Sequence, residues 1–158
     1  MGFVNAIYIC PDKGQQMVSV QTAMAIQGEG LRGDRYSVGR GTWSKTDTKN
    51  RQVTLIAKEA IDGASGMALT PFLPEHTRRN IVTFAEDLES LIGKEFMIGN
   101  VAVFRGIKEC DPCDKPRVLR GLPKDHGDFA QIFAGRGGIR AEVIQGGVIY
   151  TYQRFTIL

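Results

Sequence analysis

"RRNIVTFAEDLESLIGKEFMIGNVAVFRGI", residues 78–107, decides how the whole chain is read. Its first seven residues end in β-branched and aromatic side chains and predict a strand over 78–84. In a strand Arg78 and Asn80 would share one face and Arg79 would point the other way. Thr83 followed by Glu86 is a T-x-x-E capping box. It predicts a short helix over "AEDLESLIG" (85–93), with Leu88, Leu91 and Ile92 at helical spacing and Gly93 as its stop. "EFMIG" (95–99) and "VAVFRGI" (101–107) read as two strands about a tight turn at Asn100. Within thirty residues the chain therefore alternates short strands, tight turns and one short helix.

The same texture extends in both directions. "FVNAIYI" (3–9) predicts a strand that Cys10 ends, with Pro11-Asp12-Lys13-Gly14 as a turn. "QMVSV" (16–20) and "TAMAI" (22–26) are further extended segments. "QVTLI" (52–56) is an apolar run of buried-strand length, followed by a helical "AKEAIDGA" that stops at Gly63. "GDFAQIFAG" (127–135) places Phe129, Ile132 and Phe133 at helical spacing. "GIRAEVIQGGVIYTYQRFTIL" (138–158) closes the chain as two or three strands, with Gly146-Gly147 as a hairpin turn. The sum is about nine strands against three short helices, which predicts a mainly β fold with short helices, centred on a closed or nearly closed β-barrel. No repeat, low-complexity segment or linker divides the 158 residues, so a single domain over 1–158 is expected.

Composition excludes several classes. The net charge of +3 is mild and its basic residues are dispersed, unlike the clustered stripe of a nucleic-acid-binding surface. No run approaches the length of a membrane span. "MGFVNAIYICPDKG" lacks the basic start and cleavage site of a secretory signal, and Ala6 stands where a myristoylation motif needs a hydroxyl. Three cysteines without an export signal point to a reducing, cytoplasmic setting rather than a disulfide framework.

"KECDPCDKPR" (108–117) carries two of those cysteines, three positions apart. Four readings stand open. A structural zinc site needs four ligands, and here one pair is accompanied only by the distant Cys10 and by His76 and His126 at no zinc spacing. A dithiol redox pair is expected at the start of a helix, which Pro112 and Pro116 disfavour. A single reactive thiolate would draw on Lys108, Lys115 and Arg117, opposed by Asp111 and Asp114, and would suit a thiophilic metal or a sulfur atom in transit. Two inert loop cysteines is the fourth.

Anion-binding candidates lie upstream. "TRRN" (77–80) offers two arginines, a hydroxyl and an amide, suited to a phosphate or a polar heterocycle. "GLRGDRY" (30–36) offers a turn at Gly30 and Gly33, with Asp34 placed to hold Arg35 or cap a backbone group. It does not continue as a P-loop. Arg51 adds a further cation, and Tyr36 and Trp43 could stack on a flat ring. Apart from "TRRN", these sit in or beside the polar, glycine-rich segment 28–50, long enough for a functional loop.

In order, "GLRGDRY", "RQVTLIAKEAI", "TRRNIVTFAEDLESLIGKEFMIGNVAVF", "CDPC" and "GGIRAEVIQGGVI" resemble the MOSC family, named for the C-terminal domain of molybdenum cofactor sulfurases. The resemblance runs from about residue 16 to the end, and the size is that of small bacterial members. It implies a β-barrel-centred domain that binds the molybdenum cofactor, a pterin dithiolene with a phosphate, or carries sulfur for it. Cys113 matches the family's key cysteine, a molybdenum ligand in the reductase branch and the proposed persulfide carrier in the sulfurase branch. Arg78 and Asn80 match the R-x-N element that holds the cofactor. Gly33, Asp34 and Arg35 match the glycine-aspartate-arginine loop near the site, with Tyr36 where histidine is frequent. Thr151-Tyr152 replaces a Gly-Asp pair common in the final hairpin. The expected function is cofactor binding with Cys113 on the metal and Arg78, Asn80, Arg35 and Arg51 around the pterin and phosphate. An enzyme of this kind would be a molybdenum-dependent oxidoreductase reducing N-hydroxylated compounds. The alternatives are a sulfur carrier with a persulfide on Cys113, feeding the cofactor or a metal-sulfur cluster, and a non-catalytic cofactor carrier. Electrons or sulfur are expected from a separate partner protein.

Overall fold

The computed structural model describes residues 2–44, 51–85 and 87–158. Its elements run β1 (Gly2–Ile9), β2 (Val18–Val20), β3 (Thr22–Ile26), β4 (Gly30–Leu31), β5 (Val53–Ala57), α1 (Lys58–Ser65), β6 (Ile81–Phe84), β7 (Glu95–Ile98), β8 (Ala102–Glu109), α2 (Lys115–Leu119), α3 (Phe129–Ile132), β9 (Ile139–Gln145), β10 (Gly147–Tyr150) and β11 (Arg154–Ile157). Seven strands close a barrel in the order β11, β7, β8, β9, β5, β6, β1, with β1 returning to β11 and β2 appended to β1. Among the described residues only β5 and β6 pair as parallel strands; the other strand neighbours are antiparallel. β10, β3 and β4 form a second small sheet. The fold is thus mainly β and barrel-centred, as expected. No helix among the described residues is long and apolar enough to cross a membrane.

Strand alternation explains the two cores. Ile7, Leu55 and Ile81 point into the barrel, with Phe96, Phe104 and Val143. Their neighbours Tyr8, Ile56 and Val82 point outward into a second cluster with Ile61 of α1 and Phe129 and Phe133 of α3. β5 is buried on both faces for this reason, and its run of apolar residues follows. Phe72, Phe129 and Phe133 meet with centroids 4.2–5.6 Å apart, so the helical spacing of 129, 132 and 133 correctly marks a core face.

Several expectations are corrected. The described part of segment 85–93 contains a 3-10 turn, Glu89–Leu91, in place of the expected helix, and Glu86 of the capping box lies outside the described residues. Thr83 belongs to β6, where its hydroxyl donates to the Ile56 carbonyl. Leu88 and Leu91 still bury, but as a plug lying on β8: a Cβ on Gly106 would sit 2.2 Å from the Leu91 carbonyl oxygen. Gly146-Gly147 is no hairpin turn. β9 pairs with β8 and β5 while β10 pairs with β3, so the glycines carry the chain from one sheet to the other. α1 runs past Gly63 to Ser65 and ends at Gly66. Arg78, expected in a strand, instead ends the 3-10 helix Pro74–Thr77 in the left-handed region at φ 60. Arg78 and Asn80 therefore do not share a strand face.

Candidate functional site

The loop after β4, the start of β5, the residues before β6 and those after β8 meet around a narrow cleft of about 50 Å³. Among the described residues Arg35, Arg51, Arg78, Arg79 and Lys115 line it, with Asp111 as the acidic one and Cys110 and Cys113 as the thiols. Those described residues supply four guanidiniums and an ammonium against one carboxylate.

The loop after β4 is fastened first. Gly33 takes φ +84, which a glycine accepts without strain. Asp34 is fully buried. Its Oδ1 accepts from the Cys10 amide (3.0 Å) and Arg35 Nη1 (3.2 Å), and its Oδ2 from the Tyr36 amide (3.2 Å). Asp34 is thus a fastener to the end of β1. Arg35 Nη2 donates to the Arg78 carbonyl, and its guanidinium lies 4.7 Å from the Tyr36 ring centre.

The R-R-N run divides three ways. Arg78 Nη1 donates to the Gln15 carbonyl (2.7 Å) and Nη2 to the Lys13 carbonyl (3.2 Å), tying down the turn after β1. Burial, and then the charge of Arg35, lowers its pKa, while the Cys10 sulfur opposes that shift. Arg79 Nε donates to the Gly137 carbonyl (2.8 Å) and Nη2 to the Cys110 carbonyl (3.2 Å), which fixes the thiol segment. Asn80 is fully buried and does not line the cleft. Its Oδ1 accepts from the Thr54 amide and hydroxyl, both at 3.1 Å, and its Nδ2 donates to the Tyr8 carbonyl, so the carboxamide joins β5 to β1.

Among the described residues, Arg51 Nε, Arg140 Nε and Arg120 Nη1 are buried without a hydrogen-bond partner. Arg51 lies 5.5 Å from the Trp43 ring centre. Its pKa is lowered by burial, then by Arg140, and Arg79 adds to this. A bound anion would relieve both the repulsion and the missing hydrogen bonds. Arg140 escaped sequence reasoning because nothing in "GGIRAEV" separates a strand arginine facing solvent from one held at 6% exposure.

The cysteines differ sharply. Cys10 is fully buried, and its sulfur donates to the Asp12 carbonyl at 2.8 Å. Cys110 closes β8 at 4% exposure, and Cys113 is half-exposed. Of the three cations expected near the pair, Lys115 lines the cleft. Its pKa is lowered by burial, then by Arg78 and Lys13, and Cys113 opposes the shift. Arg117 is paired with Asp114, and Lys108 stands exposed outside the cleft. Among the described residues no group of three or more His, Cys, Asp or Glu side chains is placed to hold a metal, so the zinc reading lacks its ligand set. A wider groove of about 220 Å³, lined by Gln15, Glu75, His76 and Arg120 among others, adjoins the cleft across Arg78 and Pro116.

A family model for the MOSC domain matches residues 27–154. The solved YuaD protein of Bacillus subtilis superposes with a TM-score of 0.81 at 20% identity, covering 98% of this chain and 94% of that one. YiiM of Geobacillus stearothermophilus gives 0.74 at 15% identity, covering 100% and 75%, and YiiM of Escherichia coli gives 0.70 at 18%, covering 100% and 70%. No curated protein matches. These structures share the barrel with this chain, and the family model spans the loop after β4, the barrel strands β5 to β9 and the thiol segment described above. The chain belongs to the MOSC domain family.

Proposed function

We propose that the cleft binds the molybdenum cofactor, with Cys113 as the protein ligand to the metal. The observation that carries this reading is a half-exposed thiol in a recess whose described cations exceed its described carboxylates and whose Arg51 keeps a buried Nε without a partner. The donor set fits an anionic, sulfur-rich group. A thiolate suits a thiophilic metal, and guanidiniums suit a phosphate. The cleft alone is small, and the groove across Arg78 supplies the further room a pterin needs. Arg51, Lys115 and the remaining N–H groups of Arg78 are the donors for phosphate and pterin, and Arg140 adds its charge from beside Arg51. Arg35, Asp34, Gly33 and Asn80 position those groups from behind. When bound, the cofactor supplies oxygen-atom transfer, for which N-hydroxylated compounds are the proposed substrates and a separate protein the electron donor.

The chain's own contribution is electrostatic and positional. Cys113 loses its proton on binding metal. The cationic wall holds the charge of the ligand, and Arg79 keeps the thiol segment in place through the Cys110 carbonyl. The test is to purify the protein from a host that makes the cofactor and to assay molybdenum and the oxidised fluorescent pterin. Molybdenum retained in Cys110→Ala and lost in Cys113→Ala supports the reading. Molybdenum retained in Cys113→Ala defeats it.

A second reading is favoured by Cys110. A metal bound through Cys113 has no use for another thiol on the same cleft, whereas a sulfur carrier does. In that reading Cys113 holds a persulfide for the cofactor or a metal-sulfur cluster. Cyanide-labile sulfur on Cys113, with no metal under any growth condition, would select it.

A further inference from the structure

Cys110 and Cys113 line one cleft, and they differ in access. Cys113 is half-exposed, on the turn that leads into α2, while Cys110 is 4% exposed at the end of β8. We propose that they act as a sulfur-releasing couple: Cys113 accepts a sulfane sulfur from a persulfide donor, and Cys110 expels it as hydrosulfide. The inference rests on the sulfur-carrier reading of Cys113 and adds to it the form in which the sulfur leaves and the group that releases it.

The backbone holds the inner thiol in place. The Cys110 amide donates to the Gly138 carbonyl at 2.7 Å, and its carbonyl accepts from Arg79 Nη2 at 3.2 Å. A Cβ on Gly137 would stand 2.3 Å from the same carbonyl, so the strand end is clamped on both sides. An incoming donor meets the outer sulfur first, and the inner sulfur is left to react with what the outer one carries. Three-residue spacing is compatible with a bond between them, and Pro112 keeps the intervening turn from becoming helix. Arg51 and Lys115 line the same cleft as the two sulfurs, so cations stand beside anionic sulfur during the exchange. Cys10 is excluded, because it is fully buried and does not line the cleft.

The chemistry balances. The Cys113 thiolate attacks the terminal sulfur of a low-molecular-weight persulfide, forming Cys113–S–SH and releasing the donor as a thiolate. The Cys110 thiolate then attacks Cys113 Sγ. The Cys110–Cys113 bond forms, the bond from Cys113 Sγ to the carried sulfur breaks, and its electron pair leaves on hydrosulfide. The carried sulfur is reduced by two electrons as two thiols become one disulfide. An external dithiol restores the pair.

The test uses the purified, reduced chain without added metal, treated anaerobically with glutathione persulfide and desalted. Intact mass and sulfide are followed. Wild type is expected to release one sulfide per chain and to finish two hydrogens lighter. Cys110→Ser should keep the added sulfur on Cys113 and release sulfide at least about tenfold more slowly, since an intramolecular thiol has a large effective concentration. Cys113→Ser should do neither. Release by Cys110→Ser at the wild-type rate, or retention of the sulfur by wild type, overturns the couple while leaving the carrier reading intact. Failure of both wild type and Cys110→Ser to gain sulfur removes the carrier reading and the couple with it. Should Cys110→Ser not fold, peptide mapping of loaded wild type decides: a Cys110–Cys113 disulfide supports the couple, and a retained persulfide beside a free Cys110 thiol refutes it.

Discussion

Arg51 and Asn80 separate the two ways a polar side chain contributes here. Asn80 is fully buried with its carboxamide bonded to Thr54 and Tyr8. Asn80→Ala leaves buried partners without a hydrogen bond and is expected to cost about 2–4 kcal/mol in urea denaturation, since each unsatisfied group costs roughly 1–3 kcal/mol. Arg51 is the converse. Its Nε is buried without a partner, and burial together with Arg140 works against its charge. Arg51→Met is expected to leave the melting temperature unchanged or raised. The same change should weaken retention of an anionic cofactor at least about tenfold, because a charge-assisted contact is lost. Measured side by side, the two variants separate scaffold from ligand contact. Both residues were legible in sequence as candidates. Their division of labour was not, because neither "RRN" (78–80) nor "RQVTLI" (51–56) tells whether a polar side chain binds a ligand or the protein's own backbone.

The elements are joined at places where only a missing side chain permits contact. Gly138, at the start of β9, has φ +85, and a Cβ there would lie 1.9 Å from the Leu55 carbonyl oxygen. Gly121, just beyond α2, has φ +66 with nothing within 4 Å of its Cβ position. Gly138→Ala should therefore cost more than about 2 kcal/mol, adding overlap to conformational strain, while Gly121→Ala should cost about 1 kcal/mol from the left-handed backbone alone. Denaturant melts of the two variants test the difference. The Gly138 carbonyl also accepts from the Cys110 amide, so Gly138→Ala is expected to disturb alkylation of the thiol pair as well. Most strands could be read locally, because β-branched and aromatic runs are a property of the segment. Segment 85–93 could not. Leu88, Leu91 and Ile92 have helical spacing, but their burial comes from the barrel interior and β8, which no local pattern encodes.

Acid response belongs to the whole molecule, since it compares folded with unfolded chain. His76 has its pKa lowered by burial, then by Arg120, and its Nδ1 accepts the Leu73 amide at 3.0 Å. The unfolded chain takes up that proton first, so this contribution to stability is complete above roughly pH 6.5 and declines below it. Asp114 has its pKa lowered chiefly by Arg117, so its contribution is complete above the ordinary carboxylate range and is lost as pH falls through the folded value. Stability is expected to decline in two stages on acidification, and His76→Gln should flatten the first without touching the second. Denaturation midpoints across pH would show it. By itself the sequence determined the mainly β class, the order of most strands and the set of residues from which the cleft is drawn, because alternation, turn chemistry and residue type are local quantities. Tertiary structure alone decided which strands close the barrel, that Gly146-Gly147 passes between two sheets, that Arg78 turns left-handed, and that Arg140 sets its charge against Arg51. Those outcomes depend on which distant backbones come close enough to hydrogen-bond and which charges are buried together, distances that appear only once the chain is folded.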